Sequence, residues 1–134
     1  MAFLQIDYKS EALMRGVNIK VILPSDGMAG KWEPPYKTLY LLPGYSATAT
    51  ELITYLGLRG QSELKGIAIV LPDGENLFYQ DLPDRMTFYS TYVGKELVEQ
   101  IHDLEFLKKN AAIIYKERGY LYWRNLYGGI WCII

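Results

Sequence analysis

Three features of the 134-residue sequence predict an α/β domain built on a sheet with parallel central strands. Two continuously apolar runs, Thr38 to Leu42 and Gly66 to Pro72, suit strands buried on both faces. Turn-forming residues end both runs, Pro43-Gly44 after the first and Asp73-Gly74 after the second. A stretch of helical character follows each turn region, and strands alternating with helices build βαβ units.

The elements follow in order. "FLQIDYKS" alternates apolar and polar residues, as a half-buried strand does. "VNIKVILP" alternates again and stops at Pro24, so the first two strands are expected to pair as a hairpin. "SDGMAGKWEPPYK" is rich in Gly and Pro and is expected to be a loop. The strand 38–42 comes next. "TATELITYLGL" is expected to be a short helix with Thr48 or Thr50 near its cap. The strand 66–71 leads into a long loop, "DGENLFYQDLPDRM". Leu97, Ile101, Leu104 and Leu107 recur at helical spacing, which predicts a helix over roughly 91–108.

Composition narrows the function classes. Half of the residues are hydrophobic and 22% are charged, ordinary values for a globular protein. A net charge of −1 gives no electrostatic footprint for nucleic acid and no basic patch for an anionic membrane. A single cysteine, Cys132, excludes an internal disulfide framework and fits a reducing compartment. Asp7 and Lys9 interrupt any signal-peptide core, and no apolar run is long enough to span a bilayer. The expected location is therefore the cytoplasm. Nothing in the sequence calls for a cofactor or a metal.

Ligands of such sheets bind where loops leave the carboxyl ends of the strands. One such loop contains Pro43, Gly44, Tyr45 and Ser46; the other contains Asp73, Gly74, Glu75, Asn76, Phe78, Tyr79 and Asp81. Topology is expected to bring the two together. Gly44 lets the backbone approach a ligand closely. From local chemistry alone, a plain strand-ending turn is the commoner use of a Pro-Gly pair.

"YKSEAL" and "VILP" near the start, "LYLLPGYS", "IAIVLPDGENLFYQD" and "GKELVEQ" occur in that order. Together they resemble the tributyrin-esterase and esterase D-like branch of the α/β hydrolases, from Met1 to about Gln100. The resemblance implies hydrolysis of short acyl esters by a Ser–Asp–His triad, with a small acyl ester as partner. It also implies an oxyanion hole in which Tyr45, with Gly44 before it, supplies a backbone N–H. Ser46, Asn76, Phe78, Tyr79 and Asp81 would then lie on substrate-pocket loops. The family's usual oxyanion signature begins with histidine; Pro43 stands there instead, which bears on the shape of the turn more than on the N–H.

The nucleophile of this fold sits in G-x-S-x-G, on a sharp turn between strand and helix. No such motif occurs in the 134 residues, and the only histidine, His102, precedes the place where it belongs. The nucleophile serine, the acid and the histidine of the triad are thus all missing, and no catalytic residue is assigned. A substitute triad of Ser46, Asp73 and His102 would need a base within about 3 Å of the serine, which nothing in the sequence fixes. A helical surface histidine is the simpler reading of His102.

The tail "KNAAIIYKERGYLYWRNLYGGIWCII" has neither a helical stripe nor clean alternation, and does not resemble the family. Read one nucleotide out of register, it permits "RMPQLSTKREDTFIGGISMGGYGALY", which contains G-I-S-M-G. Glycine is forced from Trp123 before an Arg codon and from Trp131 before a Cys codon, because tryptophan has a single codon. Other residues depend on codon choice, so the string is one permitted decoding, and a natural lineage-specific tail is the alternative. Lys108 and Lys109 mark the expected place of the slip, in a run of adenines.

The expected fold is thus a truncated α/β-hydrolase: amino-terminal strands plus parallel central strands with flanking helices, three layers αβα, lacking the C-terminal half. Residues 1–108 form the amino-terminal half of the domain and 109–134 an atypical, out-of-frame tail. A sheet missing strands on one side is expected to expose an apolar edge and to self-associate through it. The expected function is that of a serine carboxylesterase lineage, inactive in this chain. The alternative is a small non-enzymatic binding module that reuses the half-domain.

Overall fold

A computed structural model of the protein describes residues 1–25, Trp32, 36–103, 124–126 and 130–133. Among these residues, eight strands form a six-stranded sheet, in the order β1-β2-β4-β3-β8-β7, and a two-stranded ribbon, β5-β6. The main-sheet strands are β1 (Ala2–Ser10), β2 (Arg15–Leu23), β3 (Lys37–Leu42), β4 (Ile67–Pro72), β7 (Arg124–Leu126) and β8 (Ile130–Ile133). β1 and β2 pair antiparallel over their full nine residues, from Ala2↔Leu23 to Ser10↔Arg15, which is the expected hairpin. β3 and β4 pair in parallel, Lys37↔Ile67 through Tyr40↔Val70. β2 meets β4 antiparallel, so the sheet is mixed rather than all parallel.

Alternation within the central strands fills two cores. Ile19, Val21 and Leu23, with Tyr40, Leu42, Ala68 and Val70, face one side. Ile22, Leu41, Ile69 and Leu71 face the other. Period-two geometry sends successive side chains to opposite faces, so a continuously apolar strand has both faces covered. The first core is closed by Tyr89, Tyr92, Val93, Leu97 and Ile101 of the last helical stretch, and the second by Ala49, Leu52 and Leu58 of the first two helices. The result is the three-layer αβα arrangement.

The helices on the second face are α1 (Ala49–Tyr55) and α2 (Leu58–Lys65). Thr48 caps α1 with a full capping box: its Oγ1 accepts from Glu51 N at 3.2 Å, and Glu51 Oε2 accepts from Thr48 N at 2.9 Å. Such a cap contributes ~1 kcal/mol. Gly57, left-handed at φ +58, separates the two helices.

On the first face, a continuous helical stretch runs through α3 (Tyr89–Thr91), a π-helical turn (Tyr92–Glu96) and α4 (Leu97–Asp103). The expected helix over 91–108 is helical as far as Asp103; its last five positions lie outside the described residues. Glu96, in the π turn, accepts a 2.7 Å hydrogen bond from Ala12 N and so ties the β1–β2 turn to this layer. The loop 73–80 and the ribbon β5 (Asp81–Leu82) and β6 (Thr87–Phe88) connect β4 to α3.

The edge of β3 expected to be open carries a backbone partner. β8 pairs with it antiparallel, Tyr40↔Ile133 through Leu42↔Trp131, and β7 pairs antiparallel with β8. A bare strand edge presents unpaired N–H and C=O groups, and the hydrogen bonds available there explain why segments without alternation still adopt strand geometry. The edge strand on that side of the sheet is β7.

Gly66 joins α2 to β4 at φ +64, and a Cβ placed there would lie 2.3 Å from the Trp32 ring. The indole is held in place by Nε1 donating to the Glu63 carbonyl at 2.7 Å. Replacing Gly66 by alanine therefore combines a left-handed strain with a ring clash, and is expected to cost ~2 kcal/mol or more. The check is the urea midpoint followed by tryptophan fluorescence; an unchanged midpoint would show that the ring yields freely.

Candidate functional site

The parallel β3–β4 register brings the loops after Leu42 and Pro72 to the same end of the sheet. After β3, Ala47 N donates to the Gly44 carbonyl at 3.1 Å, closing a β-turn across 44–47. Its third residue, Ser46, is left-handed at φ +62, as a type II turn requires. The left-handed position therefore falls on a serine, a residue for which local sequence carries no such signal.

Three side chains of the second loop hold the main chain of the first. Tyr79 Oη donates to the Pro43 carbonyl at 2.6 Å in a buried setting. Asn76 Oδ1 accepts from Ser46 N at 2.6 Å. Asp73 Oδ1 accepts from Ala49 N, at the start of α1, at 2.8 Å. Asp73 also reaches back to β2, with Oδ2 3.4 Å from Lys20 Nζ. Among the described residues the Tyr45 N–H has no hydrogen-bond acceptor. Beside it, the exposed rings of Tyr45 and Phe78 stack with centroids 5.6 Å apart.

Phe78 and Tyr79 are consecutive left-handed residues, at φ +52 and +57. Each such residue costs ~1–2 kcal/mol. For Tyr79 that cost is offset by ring burial and by the hydrogen bond to Pro43, whose loss would leave a buried carbonyl unpaired at ~1–3 kcal/mol. Burial, with smaller contributions from Tyr89 and Asp73, raises the Tyr79 phenol far above its ordinary range, so it remains a donor. Its ring packs edge-on to Tyr89 at 6.0 Å, and Arg15 Nη2 donates to Tyr89 Oη at 2.5 Å. Arg15 also pairs with Glu75 at 2.8 Å.

Of the pocket-loop residues expected from sequence, Ser46, Asn76, Phe78 and Tyr79 surround Tyr45 and Gly44. Asp81 is engaged elsewhere: its carboxylate accepts from Ser90 N at 2.8 Å and from Ser90 Oγ at 2.6 Å, at the start of the helical layer. The substitute triad does not assemble. Asp73 is bound to Ala49 and Lys20, and the half-exposed His102 ring lies 3.5 Å from Asp103. Among the described residues no group of three His, Cys, Asp or Glu side chains could hold a metal ion. No helix among them is long and apolar enough to cross a membrane.

What sequence reading missed is the Asp73–Asn76–Tyr79 set as one device. Its partners lie 24, 30 and 36 residues away, beyond any local pattern. The even step of three along both segments is visible only once the loops are brought together.

Solved structures superpose on this architecture. The serine hydrolase FphF of Staphylococcus aureus matches with a TM-score of 0.63 at 20% identity, covering 77% of this chain and 41% of that one. The S-formylglutathione hydrolase of Agrobacterium tumefaciens matches at 0.61 and 19% identity, covering 76% and 43%. The fold is that of the α/β hydrolases, in part. By sequence, an acetyl esterase of Caldicellulosiruptor saccharolyticus is 33% identical in an alignment 104 positions long that covers 74% of this chain. The chain spans 39% of the length of that curated relative. No family model matches.

Tyr8, Tyr40, Tyr79 and Tyr92 are all raised from the ordinary value of 10.0, with burial the largest cause in each. The unfolded chain therefore ionises first. Stability is fully present below pH 10 and is lost as pH rises beyond it. Urea midpoints measured across that range should fall with the appearance of tyrosinate absorbance; a flat midpoint would contradict the burial of these phenols.

Proposed function

We propose that the chain carries the oxyanion half of a serine carboxylesterase for short acyl esters, without the half that carries the nucleophile. The observation that supports this most is the open Tyr45 N–H at the carboxyl end of β3, held in a turn gripped from the next strand's loop. Such a donor stabilises charge developing on the acyl carbonyl oxygen, and losing one costs ~10²–10³ in rate. Similarity to an acetyl esterase supports the ester class.

On this reading the nucleophile elbow belongs to the other reading frame. The frame shifted after Lys108 permits G-I-S-M-G across positions 124–128, where Arg124 to Gly128 stand in this chain. An elbow serine at the end of a strand parallel to β3 would face the Tyr45 N–H. In this chain β8 occupies that side of β3 and runs antiparallel. The whole enzyme's activity therefore requires the restored frame and a family-length carboxyl half.

With p-nitrophenyl acetate or butyrate, the 134-residue chain is expected to give no turnover above a denatured control. Turnover abolished by Ser46→Ala, with the fold retained, would overturn this and promote the substitute triad. The protein expressed with the other frame restored after Lys108 and a full carboxyl half is expected to hydrolyse both esters. Sequencing the gene through the codons for Phe106 to Tyr120 decides the frame; DNA with no elbow in another frame favours the binding-module reading.

A further inference from the structure

We infer that the loop after β4 is a three-point clamp: Asp73, Asn76 and Tyr79 are positioning residues that hold the 43–49 main chain so that the Tyr45 N–H stays open. Their catalytic purpose rests on the esterase reading above; the clamp itself does not.

The geometry has a regular step. From Tyr79 to Asn76 to Asp73 the loop recedes by three residues at a time, while its partners advance from Pro43 to Ser46 to Ala49. Two rungs accept from main-chain N–H groups and one donates a hydrogen bond to a carbonyl, and Tyr45 lies between the Pro43 and Ser46 rungs. The loop that makes these bonds is anchored on its far side. Lys20 and Arg15 of β2 pair with Asp73 and Glu75, and Tyr79 packs against Tyr89. Gly74 makes room within the clamp, since a Cβ there would lie 2.6 Å from Tyr79 Oη. The left-handed Phe78 and Tyr79 bend the loop so that the phenol reaches Pro43. The rungs differ in burial: Tyr79–Pro43 is buried, Asp73–Ala49 half-buried, Asn76–Ser46 exposed. The buried rung is therefore the one on which the exposed rung depends, because water competes for the Ser46 N–H unless the turn is already in place.

The test is amide hydrogen exchange by NMR on the full chain, comparing Tyr79→Phe, Asn76→Ala and Asn76→Asp with the parent. In the parent, Ser46 and Ala49 are expected to be protected and Tyr45 to exchange freely. Tyr79→Phe keeps the ring and touches neither amide, yet it should speed Ser46 exchange about tenfold, while Val70 in β4 is unchanged. Ser46 exchange within about twofold of the parent in Tyr79→Phe would overturn the clamp. In the restored-frame esterase, Tyr79→Phe and Asn76→Ala should each lower kcat about tenfold or more at nearly constant KM, and Asn76→Asp, which keeps the acceptor, should recover most of it. Faster exchange with unchanged kcat would overturn the positioning role. A folded restored-frame protein that hydrolyses no ester would overturn the esterase reading, and the exchange data would still decide the clamp.

Discussion

Everything at the carboxyl end of this sheet depends on the parallel pairing of β3 with β4. Parallel strands point their ends the same way, so Leu42 and Pro72 deliver their loops to one place. Had these strands been antiparallel, the residues after Leu42 and those after Pro72 would sit at opposite ends of the sheet. The connection through α1 and α2 makes the pairing possible, because parallel strands need a long crossover. Asp73 then ties the far end of β4 back to the crossover: it follows β4 directly and accepts from the first residue of α1.

On the proposed reading, the site built there would serve one side of an acyl-transfer reaction. The Tyr45 N–H is an open backbone donor, and Ser46, Asp73 and His102 do not assemble into a triad beside it. In α/β hydrolases such a donor and the nucleophile fall on different stretches of chain. The first hundred residues bury cores on both faces of their sheet without help from any nucleophile-bearing strand.

Legibility in the sequence followed the range of the interactions. The two central strands were legible because burial on both faces requires continuous apolar runs, as in Leu39–Leu42 and Ile67–Leu71, whereas the two-residue strands Asp81–Leu82 and Thr87–Phe88 are too short to leave a pattern. The cap was legible to within two positions, Thr48 or Thr50, because a cap and its partner lie within one turn, here Thr48 and Glu51. The two loops were named because glycine marks turns. Their grip on each other was not, since hydrogen bonds between residues 24 to 36 apart leave no periodic trace. The π turn at Tyr92–Glu96 hid inside a helical pattern that one extra residue hardly disturbs. The pairing of β8 was hidden for another reason. Edge pairing is a backbone interaction, and side-chain patterning does not report it.

Three left-handed residues that are not glycine, Ser46, Phe78 and Tyr79, lie within this one corner of the molecule. Glycine at 46 or 78 would adopt the same backbone with less strain. Selection for thermal robustness alone would therefore drift toward glycine there, and each gain would loosen the corner that orients the Tyr45 amide. In a library of variants, the sequences that melt latest and those that keep this corner rigid would be different sets.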